Sequence, residues 1–311
     1  MARHFLSLEE QSHEELTKLL DLAHQMKLHP DAYRQVCAGQ TLAMIFQKPS
    51  LRTRVSFQTG MYELGGQALY LGPKDIQLHR GESITDTAQV LSRYCHGIMA
   101  RVFAHADLEG LATGSIPVVN GLSDLLHPCQ VLADLLTIRE KKGNLKGLKL
   151  AYVGDGNNMA HSLLYGGAHF GMTVSVSHPH GFAPDGEVVT RARELASLSG
   201  GAIQITEDPN EGVADADIVY SDVWASMGQE DEHTERLKLF ERYQVDSQLM
   251  SRTKHDSLFL HCLPAHRGEE VTADVIDGPR SVVFDQAENR LHAQKAILGR
   301  FMGSARPRGV A

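Results

Sequence analysis

The sequence predicts an α/β protein of two domains, each a parallel β-sheet flanked by helices. Short apolar runs of strand length alternate with amphipathic helical stretches along the chain, the pattern of parallel strands joined by right-handed crossovers. The 311 residues exceed what one hydrophobic core usually supports. Composition changes abruptly in the charged, glycine-bearing segment 139–147, and a strand-like run follows at once.

Taken in order, Ser12 with Glu15 reads as a capping box, and Leu16, Leu19, Leu20, Ala23 and Met26 share one face of the helix that follows. Residues 42–45 read as a short buried strand. FQKPSLRTR, 46–54, then runs into Val55, Phe57, Met61 and Leu64 at helical spacing. A second strand at 68–71 leads to a polar loop, 72–81, and Ser83 with Asp86 caps a helix reaching about Tyr94. Strands are expected at 97–102, with Arg101 near its end, and at 117–120. After His127-Pro128-Cys129-Gln130 a helix carries Val131, Leu132, Leu135, Leu136 and Ile138. In the second half the expected strands are 148–153, 173–177, 202–206, 218–221, 258–262 and 282–284, with helices notably at 159–170 and 188–198. An amphipathic helix, 286–301, ends the fold, and 304–311 reads as a frayed tail.

A hydrophobic fraction of 42% and a charged fraction of 22% are ordinary for a soluble globular protein. The net charge of -8 argues against nucleic-acid binding. No apolar run is long enough to cross a bilayer and the N-terminus lacks the apolar core of a signal peptide, so a cytoplasmic address is expected. Cys37, Cys95, Cys129 and Cys262 lie far apart with no C-x-x-C pair, which suggests neither a zinc site nor a disulfide framework. His178, His180, His261 and His266 lack partners at ligand spacing, so no metal site is expected.

Ligands of open α/β sheets lie beyond the C-terminal ends of the strands. The unusual residues cluster there. Ser50, Arg52 and Thr53 follow the first strand, at a strand-to-helix turn whose N–H groups and dipole suit an anion. Arg52 and Arg54 are expected to set two guanidinium forks beside those amides. The plainer reading is a helix capped by Ser50 and followed by surface arginines. His127 and Gln130 stand at a helix start, where imidazole and amide can both donate to a carbonyl oxygen; a lone histidine there is more often structural. Asn157 and Asn158 follow the 148–153 strand, Asp222, Ser226 and Met227 follow 218–220, Cys262 follows 259–261, and Arg290 lies past the last strand. Cys262 alone reads as a small buried hydrophobe, and DVWASMG, 222–228, alone as an ordinary turn. GDGNN, 154–158, lacks the third glycine of a dinucleotide fingerprint, and no acidic residue closes the next strand, so no nicotinamide cofactor is expected. Neither a Walker motif nor a G-x-S-x-G elbow occurs.

FQKPSLRTR, HPCQ, DVWASMG and HCLPAHRGEE together resemble the aspartate/ornithine carbamoyltransferase family, in the family's order and over essentially the whole chain. The last two segments are similar to those that mark its ornithine-specific branch. The resemblance implies a carbamoyl-phosphate domain, 1–143, to which a C-terminal helix, 287–311, returns, and an ornithine domain, 144–286. It implies carbamoyl transfer from carbamoyl phosphate to the δ-amino group of L-ornithine, giving citrulline and phosphate, with no metal or organic cofactor. Ser50, Leu51, Arg52, Thr53, Gln77, Arg101, His127, Gln130, Cys262, Leu263 and Arg290 match positions that bind carbamoyl phosphate. Asn158, Asp222, Ser226 and Met227 match those that bind ornithine. Cys262, Arg101, His127 and Asp222 match the catalytic positions, Cys262 being the one proposed to accept or orient the proton of the attacking amine. Leu51 stands where the family has Thr, a change felt by a phosphate held through the hydroxyl but not by one held through the backbone. A homotrimer or a multiple of it is implied, with Gln77 offered from a neighbouring subunit. Two other readings stay open: carbamoylation of another amine such as putrescine or N-acetylornithine, and a non-catalytic small-anion sensor on the same fold.

Overall fold

The computed structural model describes residues 4–76, 81–225 and 233–303, so Gln77, Ser226 and Met227 lie outside the described residues. The chain divides into unit 1, Met1–Leu136 with Glu288–Ala311, and unit 2, Thr137–Ala287.

Unit 1 is built on β1 (Thr41–Phe46), β2 (Gln67–Leu71), β3 (Gly97–Arg101) and β4 (Val118–Leu122), all parallel in the order β2-β1-β3-β4. All of β1 is buried, which is why TLAMIF is a continuous apolar run and does not alternate. The edge strand β2 is half exposed. The helices are α1 (His13–Leu28), α2 (Leu51–Glu63), α3 (Ile84–Tyr94), α4 (His105–Leu111) and the first part of α5 (Pro128–Lys142), whose residues from Thr137 belong to unit 2. One core cluster joins Ala43, Ile45, Ile98, Ala100 and Val118 of the sheet to Leu108 and Leu111 of α4. Phe46 pairs with Arg101, so the segments leaving β1 and β3 emerge together at one sheet edge.

Unit 2 carries β5 (Lys149–Val153), β6 (Thr173–Ser177), β7 (Ala202–Thr206), β8 (Ile218–Ser221) and β9 (Leu258–His261), all parallel in the order β7-β6-β5-β8-β9. Its helices are α6 (Asn158–His169), α7 (Gly186–Ser199), α8 (Pro209–Val213), α9 (His233–Phe240), α10 (Ser247–Met250) and α11 (Ala273–Ile276). Val153 pairs with Ser221 and Ser221 with His261. Three chain segments, beginning at Gly154, Asp222 and Cys262, therefore leave the sheet side by side.

The expected strand at 282–284 is instead the start of α12 (Val283–Phe301). Only Ser281 bridges Phe259. The Val282 carbonyl already accepts the Gln286 N–H, and Val283 is buried while Phe284 is 74% exposed. The apolar run thus serves a helix start that buries Val282 and Val283 and leaves Phe284 outside. β9 likewise stops at His261, which leaves Cys262 just beyond it.

From Glu288 onward α12 packs on α1 and α2. A Cβ at Gly60 would come 3.2 Å from Cγ of Lys295, so the glycine sets how closely α12 approaches α2. Lys295 Nζ lies 2.6 Å from Glu63 Oε2. The expected capping box at α1 is half made. Ser12 Oγ accepts the Glu15 N–H at 3.1 Å, but the Glu15 carboxylate receives Arg300 through two bonds of 2.6 and 3.0 Å.

Candidate active site

In unit 1 the turn after β1 delivers Ser50 to the N-cap of α2, where its Oγ accepts the Thr53 N–H at 3.3 Å. The Leu51 side chain is 77% exposed, so its backbone N–H is what this residue brings to the helix start. Thr53 is buried, and its Oγ1 accepts a bond of 3.1 Å from Arg290 Nη2. The other arm of that guanidinium, Nη1, donates to Gln130 Oε1 at 2.6 Å, and Gln130 Nε2 donates to Asp134 Oδ1 at 2.8 Å. Arg290 sits two turns into α12 and not past a strand. Its fork joins α2 to α5, and the Gln130 amide is oriented at both ends.

His127 precedes α5, and its carbonyl accepts the N–H groups of Gln130 and Val131. Burial holds its imidazole well below the ordinary histidine range, and the charges of Arg290, Arg101 and Arg52 push in the same direction. The ring is neutral at neutral pH. Arg101, the last residue of β3, and Arg52 thus belong to one basic cluster with Arg290. Arg54 does not join it as expected. Its guanidinium stacks 3.9 Å over the Tyr70 ring, and Nε donates to Gln58.

In unit 2 the Asp222 carboxylate collects bonds from two strand ends. Its Oδ1 accepts the Cys262 thiol at 3.0 Å and the Val223 N–H at 2.8 Å, and Oδ2 accepts Asn157 Nδ2 at 3.1 Å. Asn157 Oδ1 caps α6 by accepting from Met159 and Ala160. The sequence singled out Asn158, which opens α6, but Asn157 is the residue that meets Asp222. Burial raises the Tyr152 phenol well above its ordinary range, and the charges of Asp222, Asp155 and Cys262 add to it.

The Cys262-Leu263 backbone is held from behind. Leu263, at φ +60°, donates its N–H to His261 Nδ1 at 2.9 Å. The proton of that buried imidazole is therefore on Nε2, which faces Glu270 Oε1 at 3.0 Å. Sequence reading missed Asp134, and it named Asn157 and Glu270 without their partners, because each acts on a side chain that only the fold brings near. Asp134 alone left a local trace, standing one helical turn after Gln130.

Ligand atoms suited to a metal converge twice among the described residues, in Asp222, His261 and Cys262 and in His266, Glu269 and Glu270. In the first set both His261 nitrogens are already engaged, and the thiol donates to Asp222. Of the residues singled out from sequence, Ser50, Leu51, Arg52, Thr53, Arg101, His127, Gln130 and Arg290 fall in unit 1. Asn158, Asp222, Cys262 and Leu263 fall in unit 2.

Two family models match the chain: "Aspartate/ornithine carbamoyltransferase, carbamoyl-P binding domain" at residues 3–140, and the "Asp/Orn binding domain" of the same family at 146–301. The chain is 57% identical over 304 residues to an ornithine carbamoyltransferase of Thermococcus kodakarensis, covering 97% of this chain and 96% of that one. The crystallised ornithine carbamoyltransferase of Pyrococcus furiosus is similar at TM-score 0.95 and 55% identity, over 98% of each chain. That of Giardia lamblia, at 38% identity over 98% of this chain and all of that one (100%), keeps a TM-score of 0.90. Both units, the order of their strands and these relatives agree: the chain belongs to the aspartate/ornithine carbamoyltransferase family.

Proposed function

We propose that the chain transfers the carbamoyl group of carbamoyl phosphate to the δ-amino group of L-ornithine, giving L-citrulline and phosphate. The observation that carries this reading is the neutral His127 beside the buried Thr53–Arg290–Gln130 arrangement. Such a set neutralises an anion and offers an uncharged donor to a carbonyl oxygen.

The phosphate is taken at the start of α2 by Ser50, Leu51, Arg52 and Thr53, with Arg52 and Arg101 spreading positive charge over its oxygens. Attack on the carbonyl builds an oxyanion. His127, Arg101 and the second amide proton of Gln130 are the donors aimed at it. Ornithine is held by its amino-acid end through Asn158, Asp222, Ser226 and Met227. The Asp222 carboxylate accepts three protein bonds and keeps lone-pair capacity for the α-ammonium. The attacking δ-amine reacts only when neutral, and its free pKa lies near that of Lys, roughly 10.4. Cys262, hydrogen-bonded to Asp222, is proposed to orient or accept the proton that the amine sheds.

The reading extends to a homotrimer or a multiple of it, with Gln77 completing a neighbour's site. Tyr62, Leu69 and Tyr94 are large and exposed on unit 1. Among the described residues no helix is long and apolar enough to cross a membrane, and a cytoplasmic place is proposed. A role in arginine biosynthesis is proposed as well, in line with the anabolic name of the Pyrococcus furiosus relative.

A product assay with carbamoyl phosphate against ornithine, putrescine, N-acetylornithine and aspartate tests the reading. Citrulline from ornithine is the expected result. Faster carbamoylation of putrescine, or binding of carbamoyl phosphate with no product from any amine, overturns it.

A further inference from the structure

We infer that Arg236 is a positioning residue for ornithine: paired with Asp155, it locks the Asp222–Trp224 segment in place without touching substrate. The inference rests on Asp222 binding ornithine, as proposed above.

Arg236 lies in α9, and its side chain is 9% exposed. Nη1 donates to Asp155 Oδ2 at 2.7 Å and to the Trp224 carbonyl at 2.8 Å. The guanidinium carbon lies 5.0 Å from the Phe182 ring centroid and 6.0 Å from that of Phe240, and Phe240 in turn meets Trp224 at 5.8 Å. A single cation thus ties α9, the turn after β5 and the segment after β8 together.

These bonds close a ring. Asp155 joins Arg236, Arg236 joins Trp224, and Trp224 leads back through Val223 to Asp222. Asp222 bonds Asn157, which is two residues from Asp155. The turn carrying Asp155 has no slack. The Gly156 N–H donates to the Phe182 carbonyl at 2.9 Å, and a Cβ at Gly156 would come 2.2 Å from the Pro184 nitrogen. The GDGNN segment, which mimics part of a nucleotide fingerprint, therefore presents a carboxylate to a protein cation. Burial raises the Asp155 carboxyl and Arg236 opposes that rise. Loss of Arg236 leaves a buried carboxylate beside Asp222 and frees the Trp224 carbonyl. The ornithine-binding carboxylate then loses its fixed direction, and affinity is spent on restoring order when ornithine binds.

Steady-state kinetics of the full chain test this in Arg236→Met, Arg236→Lys, Asp155→Asn and Asp222→Asn. Arg236→Met is expected to raise the ornithine KM by about ten- to hundredfold, with the carbamoyl phosphate KM held within about twofold. Arg236→Lys keeps the charge but not the planar fork and is expected to recover part of that loss. Arg236→Met combined with Asp155→Asn is expected to be less impaired than the product of the single effects. Should Arg236→Met not fold, Arg236→Lys and Asp155→Asn carry the same comparison, each raising the ornithine KM alone. An equal rise in both KM values, or a change in kcat alone, overturns the inference. If Asp222→Asn raises the ornithine KM while no Arg236 variant does, only this inference fails. If Asp222→Asn leaves it unchanged, the assignment of Asp222 fails and this inference with it.

Discussion

His127 stays neutral because burial and the charges of Arg290, Arg101 and Arg52 all oppose a second proton on its ring. Its folded pKa is depressed, whereas the unfolded chain titrates near roughly 6.5. Below that pH the unfolded state binds a proton that the native state refuses, so stability falls as pH drops. The slope is about 1.4 kcal/mol per pH unit for each such proton. Urea unfolding of wild type and His127→Gln at about pH 7.5 and about pH 5.5 checks this. The variant should lose less stability over that interval; equal losses would exclude His127 as a source of acid sensitivity. The thiols divide in a comparable way. Burial pushes Cys37 and Cys129 up to about 12, while Cys262 is half-buried and bonded to Asp222. Iodoacetamide at neutral pH should modify Cys262 first, and activity should fall in step with that adduct on peptide mapping. First labelling of Cys37 or Cys129 would count against it. At this scale the sequence was informative wherever the chemistry was local. His127 and Gln130 share one helix start, and Ser50 and Thr53 one cap. Arg54 was misjudged because its alternation with Arg52 says nothing of Tyr70 waiting on β2.

α12 shows how one element serves two cores: Val283 is buried in unit 2, and the residues from Glu288 belong to unit 1. Lys295 is 1% exposed, whereas its partner Glu63 keeps 35% of its side chain in solvent. Removing the two partners should therefore not cost the same. Glu63→Ala strands a buried ammonium, on the order of 3–5 kcal/mol. Lys295→Met leaves a carboxylate that water can reach and should cost clearly less. Thermal melts of both variants decide; Met keeps an unbranched stem like that of Lys295, so a Lys295→Met as damaging as Glu63→Ala would show that loss of the ion pair, and not the stranded ammonium, sets the cost. Elements with a clean period or a cap were legible, as β1, α1 and α3 were. The 282–284 run was not, because three apolar residues fit a strand and a helix start equally well. Only the Val282 carbonyl, committed to Gln286, separates the two.

At the scale of the molecule, alternating strands and helices predicted two parallel sheets, and the sheets are there. The pairings that build the candidate site were beyond that reading. Arg290 meets Gln130 across 160 residues and Cys262 meets Asp222 across 40, and periodicity tells which face is buried but not what it is buried against. The proposed trimer has its own test. An inactive Gln77→Ala variant mixed with inactive Arg101→Ala, then dissociated and reassembled, should regain part of the activity, because a hybrid can hold one intact site. Mixtures that stay inactive would place Gln77 in its own subunit's chemistry or in none. The Arg290 fork has a further consequence for how the chain comes into being. Its two bonds reach Thr53 and Gln130, residues made long before it. A nascent polypeptide can thus lay down the strands of unit 1 early, but the Thr53–Arg290–Gln130 arrangement closes only once residue 290 has been made.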